Sequence, residues 1–230
     1  MKVRFLLPAL LLATALFTSC DNDGHYETMD DVVCYKYWTF SFGWLNDTLP
    51  EADPNTFVSV EDWLGKDAEH AYYKGRLIPG ADPKTLKAVK MPISRDLKDY
   101  YFEAAPLHVA DVESFKVLDY EYHLWGKDKL YAYYDSTRVE VRNIKDFHVV
   151  NYCTATDNLD VYLFGTRLEG ADPKTFKETS GSYWRDKSHV WYFDSLMEDV
   201  DIETFTVDKE GNASDKNGPF YNGSRTEAEE

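Results

Sequence analysis

A loop that returns at a fixed spacing constrains this chain more than any other feature. G-A-D-P-K-T-L occupies residues 80–86, G-A-D-P-K-T-F residues 170–176, and a weaker copy, E-A-D-P-N-T-F, residues 51–57. Degenerate copies end at Phe115 and Phe205, and Phe147 keeps the phase where the loop itself has diverged. The anchors Phe57, Leu86 and Phe115 lie 29 residues apart, Phe115 and Phe147 lie 32 apart, and Phe147, Phe176 and Phe205 again 29. A fixed period of this size is the signature of a repeat architecture.

The chemistry of the loop follows from its residues. Proline fixes its own φ and pushes the preceding residue toward extended backbone. An aspartate there can accept from the N–H two or three residues on, as in an N-cap or Asx-turn. Asp53, Asp82 and Asp172 are therefore expected to be structural, each closing one capped turn that drops the following Phe or Leu into a core. The competing reading is calcium binding, which needs several oxygen ligands gathered in one loop. Each copy offers one well-placed carboxylate.

A second landmark keeps the same phase. Asp67, Asp96, Asp128, Asp157, Asp186 and Asp215 each precede an aromatic or β-branched run, such as Ala71-Tyr72-Tyr73 or Val190-Trp191-Tyr192-Phe193. Short runs of this composition bounded by turn residues predict strands. The expected fold is all-β: an antiparallel array of hairpin units of about 29 residues joined by capped loops. A closed, propeller-like ring is the alternative. The three extra residues before Asp128 predict a longer turn near Tyr120–Trp125.

Asp186-Lys187-Ser188-His189-Val190-Trp191-Tyr192-Phe193 and Asp215-Lys216-Asn217, alternating with the A-D-P-K-T loop, resemble the DKNYY family of bacterial lipoprotein repeats. The resemblance spans about residues 34–225. It implies a repeat architecture and an envelope location, and no catalytic residues.

The N-terminus points the same way. Lys2 and Arg4 precede an apolar run from Phe5 to Phe17, too short to span a bilayer, and Phe17-Thr18-Ser19-Cys20 resembles a relaxed lipobox. Residues 1–19 read as a lipoprotein signal peptide. Cys20 reads as the lipidated residue, making the membrane a partner through its acyl chains. Residues 20–33 read as an acidic tether, and Asp21-Asn22-Asp23 resembles the export signal that some Gram-negative bacteria place on surface lipoproteins. The expected location is the outer membrane, facing the cell exterior, with the periplasmic face as the alternative. The repeat domain is expected over residues 34–225, with atypical end units acting as caps, and residues 226–230 as a disordered tail.

Function is less legible. With a formal charge of −16 the chain would be repelled by nucleic-acid phosphates. No H-x-x-x-H or C-x-x-C pairing signals a metal, and no nucleophile elbow, phosphate loop or dinucleotide motif implies a cofactor. His70 and His189 share one repeat position, three residues after the turn aspartate, which argues a structural role. Aromatic residues make up 16% of the chain, enough to serve both a core and a binding surface. Asp47-Thr48-Leu49, Asp135-Ser136-Thr137 and Asp194-Ser195-Leu196 resemble a bacterial O-glycosylation signal, making Thr48, Ser136 and Ser195 candidate acceptors. Cys34 and Cys153 share a repeat phase; an open array keeps them apart as free thiols, whereas a closed ring could bridge them. The leading expectation is a non-enzymatic surface lipoprotein whose array binds a glycan or an envelope protein. The alternatives are an enzyme or accessory subunit acting on envelope polysaccharide, and a purely structural envelope protein.

Overall fold

The computed structural model describes residues 24–119, 123–180 and 182–226. Residues 1–19, expected to form a signal peptide, Cys20, the Asp21-Asn22-Asp23 stretch and residues 227–230 of the tail lie outside the described residues. Among the described residues every regular element is a β-strand, and the strands form seven small antiparallel sheets, each a meander in chain order.

The first sheet has three strands, His25–Met29, Val32–Thr39 and Gly43–Leu49. Asp30 and Asp31, at φ 48° and 62°, form the two-residue turn between the first two. Positive φ at both positions matches the right-handed twist of the strands it joins. This corrects the reading of residues 20–33 as a tether. The chain is already in a strand at His25, and the charges of Glu27, Asp30 and Asp31 obscured an alternating pattern in which Tyr26 packs inward on Tyr35 and Phe57.

The remaining sheets have four strands each. The second runs Val58–Glu61, Leu64–Lys66, Ala71–Tyr73 and Arg76–Leu77, and the sixth Lys177–Glu178, Tyr183–Arg185, Val190–Tyr192 and Ser195–Leu196. The hairpin legible in the sequence is the central pair of each sheet. The outer strands, of two to four residues, are too short to carry a hydrophobic period. The last unit is complete, closing with Gly218–Tyr221 and Ser224–Arg225, and Thr226 still donates to the Pro219 carbonyl. In the fourth sheet Lys116–Asp119 still pairs with Trp125–Lys127, so the three extra residues fall in the intervening turn, of which residues 120–122 lie outside the described set.

The sheets stack face to face. On the aromatic strand of the sixth sheet, Trp191 joins a buried cluster with Cys153 and Leu163 of the fifth, while Val190 joins Phe205 and Phe220 of the seventh. The same division repeats along the chain. Tyr73 of the second sheet meets Tyr101 of the third, and Tyr134 of the fourth meets Phe147 and Tyr162 of the fifth. Both faces of an inner sheet are thus covered by its sequence neighbours, which explains aromatics on both sides of the strands. The loop anchors Phe57, Leu86, Phe115, Phe147, Phe176 and Phe205 each lie at or against one such junction.

Close approach at the junctions shapes the turns. Gly75, at φ 78°, lies where a Cβ would come within 2.9 Å of Tyr35 Cβ, and Gly165, also at φ 78°, within 2.8 Å of Tyr134 Cβ. A side chain at either would collide with the preceding unit as well as strain the backbone.

Among the described residues, none of the six buried clusters joins the first sheet to the last. The array is open, and the closed ring is not the arrangement found. Cys34 and Cys153 are buried free thiols, one in the first sheet and one entering the fifth.

Candidate functional site

The recurring carboxylates make a site of their own, a structural one. Asp96, fully buried, accepts at Oδ1 from the Lys98 and Asp99 amides at 2.6 and 2.8 Å. Its Oδ2 accepts from the Asp82 amide at 2.7 Å and the Tyr101 hydroxyl at 2.8 Å. Asp128 repeats this with Leu130, Tyr131, Asp111 and Tyr133. Asp157 does so with Leu159, Asp160, Asn143 and Tyr162, with a further bond from the Arg142 amide. Each of these turn aspartates therefore ties its own tight turn to the anchor loop 14 or 17 residues upstream and to the tyrosine five residues on.

Where that tyrosine is missing another donor takes its place. Beside Asp186 the fifth residue on is Trp191, and His189 Nδ1 lies 3.4 Å from Oδ2. Beside Asp215 it is Phe220, and Arg225 supplies a two-pronged contact at 2.9 and 2.8 Å. Asp67 keeps its tyrosine, Tyr72, whose hydroxyl donates to it at 3.4 Å, and His70 lies 3.7 Å away, beyond hydrogen-bond distance. The shared histidine position thus belongs to the frame.

The loop aspartates complete the clasp. Asp82 Oδ1 accepts from the Lys84 amide and Oδ2 from the Thr85 hydroxyl. Asp53 accepts from the Asn55 amide and the Thr56 hydroxyl, and Asp172 from the Lys174 amide. The loop hydroxyl then accepts from the amide following the turn aspartate, as in Ala68 to Thr56, Leu97 to Thr85 and Lys187 to Thr175. Lys187 pairs with Asp172 at 2.9 Å, and Lys129 pairs with Asp111. The two sequence landmarks recur in phase because they touch each other in every unit.

Electrostatics follow the bonding. Burial pushes the Asp96, Asp157 and Asp186 carboxyls up, but the amide donors, joined by the tyrosine hydroxyl at Asp96 and Asp157, outweigh it and hold all three below the usual carboxylate range. Burial, and the adjacent carboxylate, push the Tyr101 and Tyr162 phenols up. These carboxylates are ionised and fully engaged at neutral pH. Among the described residues no group of three or more His, Cys, Asp or Glu is placed to hold a metal.

One cleft gathers the opposite charge. A hollow of about 350 Å³ between the fourth and fifth sheets is lined by Lys116, Lys127, Lys129 and Lys145, with Asp128, Ser114 and Ile144. Lys116 and Lys127 are directly opposed across the strand pair, a like-charge arrangement that destabilises a sheet. Lys127 Nζ donates to the Ile144 and Phe147 carbonyls at 3.1 and 2.7 Å. Its desolvation, with Lys116 nearby, lowers its pKa. Lys116 and Lys145 are exposed. Sequence reading missed this cleft because its residues are scattered over two units. The signal present was a cation before the turn aspartate, a position from which Lys66 and Arg185 likewise reach carbonyls of the next loop.

Thr48, Ser136 and Ser195 are all exposed, Thr48 on the last strand of the first sheet, Ser136 in a hairpin turn and Ser195 at the start of the last strand of the sixth sheet. The outer face of the first sheet carries Trp38 and Trp44, cross-strand partners 48% and 52% exposed. Compared with known families, residues 15–105 and 125–195 match the model of the DKNYY family. No curated protein and no solved structure matches the chain.

Proposed function

Since the chain belongs to the DKNYY family, whose model matches most of its length, we propose that its repeats form a non-enzymatic scaffold held on a bacterial membrane, presenting a binding surface for an acidic glycan. The observation that carries the ligand class is the lysine cleft. In a chain of net charge −16, four lysines line one hollow against the single carboxylate Asp128; Lys129 is paired with Asp111, and Lys116 and Lys127 face each other across a strand pair. An anion bound between them would relieve that repulsion. The carboxylates of a hydrolytic pair would have to come from elsewhere, because those that recur in phase are engaged in holding each unit together.

Anchoring is part of the same proposal. Cys20 would carry the acyl chains once residues 1–19 are removed, and several chains anchor firmly where one does not. The acidic residues after Cys20 would direct the protein to the outer face of the outer membrane. The exposure of Thr48, Ser136 and Ser195 suits modification there.

Two experiments test this. Cys20→Ala should move the protein from the membrane to the soluble fraction; retention after a high-salt wash would exclude lipidation at that residue. On an array of envelope glycans the wild type should bind carboxylated or phosphorylated members with an affinity that falls as salt rises. The Lys116→Glu/Lys145→Glu variant, altered only at exposed positions, should lose that binding without losing its melting temperature. Equal binding by this variant would remove the cleft from the account.

A further inference from the structure

A stack of sheets must end, and its two ends are unlike. The outward face of the last sheet offers one large aromatic, Tyr221. The outward face of the first offers Met29, Trp38 and Trp44 beside one ion pair, Lys36–Glu27, and its hairpin runs on to a tip where Phe40 is 93% and Phe42 79% exposed. End units of a repeat array ordinarily turn a polar face to water. Here the hairpin tip of the first sheet does the reverse.

The tip is built to stay open. The Thr39 hydroxyl accepts from the Phe42 amide and donates to the Gly43 carbonyl, and Gly43 takes φ 70°, so the turn is fixed from within. Trp38 meets Phe40 edge-on at 6.4 Å. From Tyr37 to Leu45 the chain reads Y-W-T-F-S-F-G-W-L, nine residues without a charge in a chain that is 29% charged. A sugar-binding platform would need polar side chains around the rings to engage hydroxyls. The tip has Thr39, already engaged with its own turn, and Ser41, while Lys36, 5.9 Å over the Trp44 ring, is paired with Glu27. Tryptophans flanking phenylalanines on an uncharged loop are suited instead to the boundary between headgroups and acyl chains.

The chain's own path decides the occupant. His25, the first strand residue, lies on the same outward face and packs against Trp44 at 6.4 Å. Cys20 is five residues before it, a span of at most about 18 Å when extended. An anchor at Cys20 would hold this face against the bilayer. We propose that the hairpin tip Phe40–Phe42, flanked by Trp38 and Trp44, inserts into the lipid surface as a second attachment point that sets the orientation of the array. The inference rests on the anchored reading for its geometry, but the insertion itself is apolar. It should not need anionic lipid, from which so acidic a chain would be repelled.

Tryptophan fluorescence tests it on the protein purified from membranes and reconstituted in zwitterionic vesicles with acyl chains brominated at shallow or deep positions. Trp63, Trp125, Trp184 and Trp191 are buried, so quenching reports on Trp38 and Trp44. The proposal expects quenching by the shallow bromines, little changed by salt, and its loss in Phe40→Ser/Phe42→Ser, whose side chains contribute to no core. Vesicle-bound protein whose tryptophans are not quenched would overturn insertion while leaving the anchor standing. Mass measurement of the same preparation shows separately whether Cys20 is acylated; quenching by an unacylated chain would keep the tip and remove the anchor. An emission shift caused by soluble glycan, with none on vesicles, would assign the face to sugar and also overturn the proposal.

Discussion

At the scale of single residues, the turn aspartate distinguishes this fold. Asp96→Ala would strip partners from the buried Tyr101 hydroxyl and from three amides, and each buried donor left unsatisfied costs about 1–3 kcal/mol. We expect a loss of at least about 3 kcal/mol in denaturant unfolding, against a much smaller loss for Asp172→Ala, whose carboxylate is partly solvated and paired with Lys187. Equal losses would contradict the hub. The pH dependence follows with its sign. The folded chain holds Asp67, Asp96, Asp157 and Asp186 below their ordinary value, so their contribution is present above about pH 4 and is lost as pH falls through the lowered values. The folded chain also favours neutral Tyr101, Tyr133 and Tyr162, so their contribution is full below about pH 10 and fades as pH rises beyond it. Melting temperature against pH should therefore decline at both extremes, and Tyr101→Phe should flatten the alkaline side. Millimolar calcium should leave the melting temperature unchanged, since each loop aspartate already serves amides and hydroxyls; a rise reversed by EDTA would restore the calcium reading.

At the scale of the element, much was legible and the reasons for the rest are specific. Proline and aspartate in the loop dictate a capped turn, and the aromatic runs dictate the central hairpin, because both signals are local. The bond from the Asp82 amide to Asp96 was hidden because two motifs sharing one period stay in phase at any separation; the period shows that they recur together and leaves open whether they touch. The edge strands, such as Arg76–Leu77, are too short to announce themselves. His25–Met29 was obscured by its charges, although Asp30-Asp31 between two alternating runs was the available hairpin signal. The lysine cleft and the outward first sheet depend on which faces stack, which no local pattern encodes. One consequence of stacking is testable in a turn. Gly75→Ala meets both a positive φ and Tyr35 of the preceding sheet, and should cost about 1–3 kcal/mol. A neutral outcome would mean that the two sheets do not approach as closely as described.

At the scale of the whole molecule, the array is a line of neighbours. Stability in such a line is a sum of unit and junction terms, so damage should remain local instead of unfolding everything at once. The hairpin tip proposed to meet the membrane and the cleft proposed to bind a ligand lie in different sheets, so the two proposals can be tested independently by the substitutions given above. The central claim is that each unit is clasped by its own buried aspartate and supported only by the units before and after it. Native-state hydrogen exchange on Asp157→Asn against wild type tests this most directly. Asp157 serves the fifth sheet, which stacks on the fourth and sixth. Amide protection should fall in residues 142–168, fall less in the adjoining sheets, and persist in the first sheet from Val32 to Leu49. Loss of protection along the entire chain, or no loss around Asp157, would contradict the account.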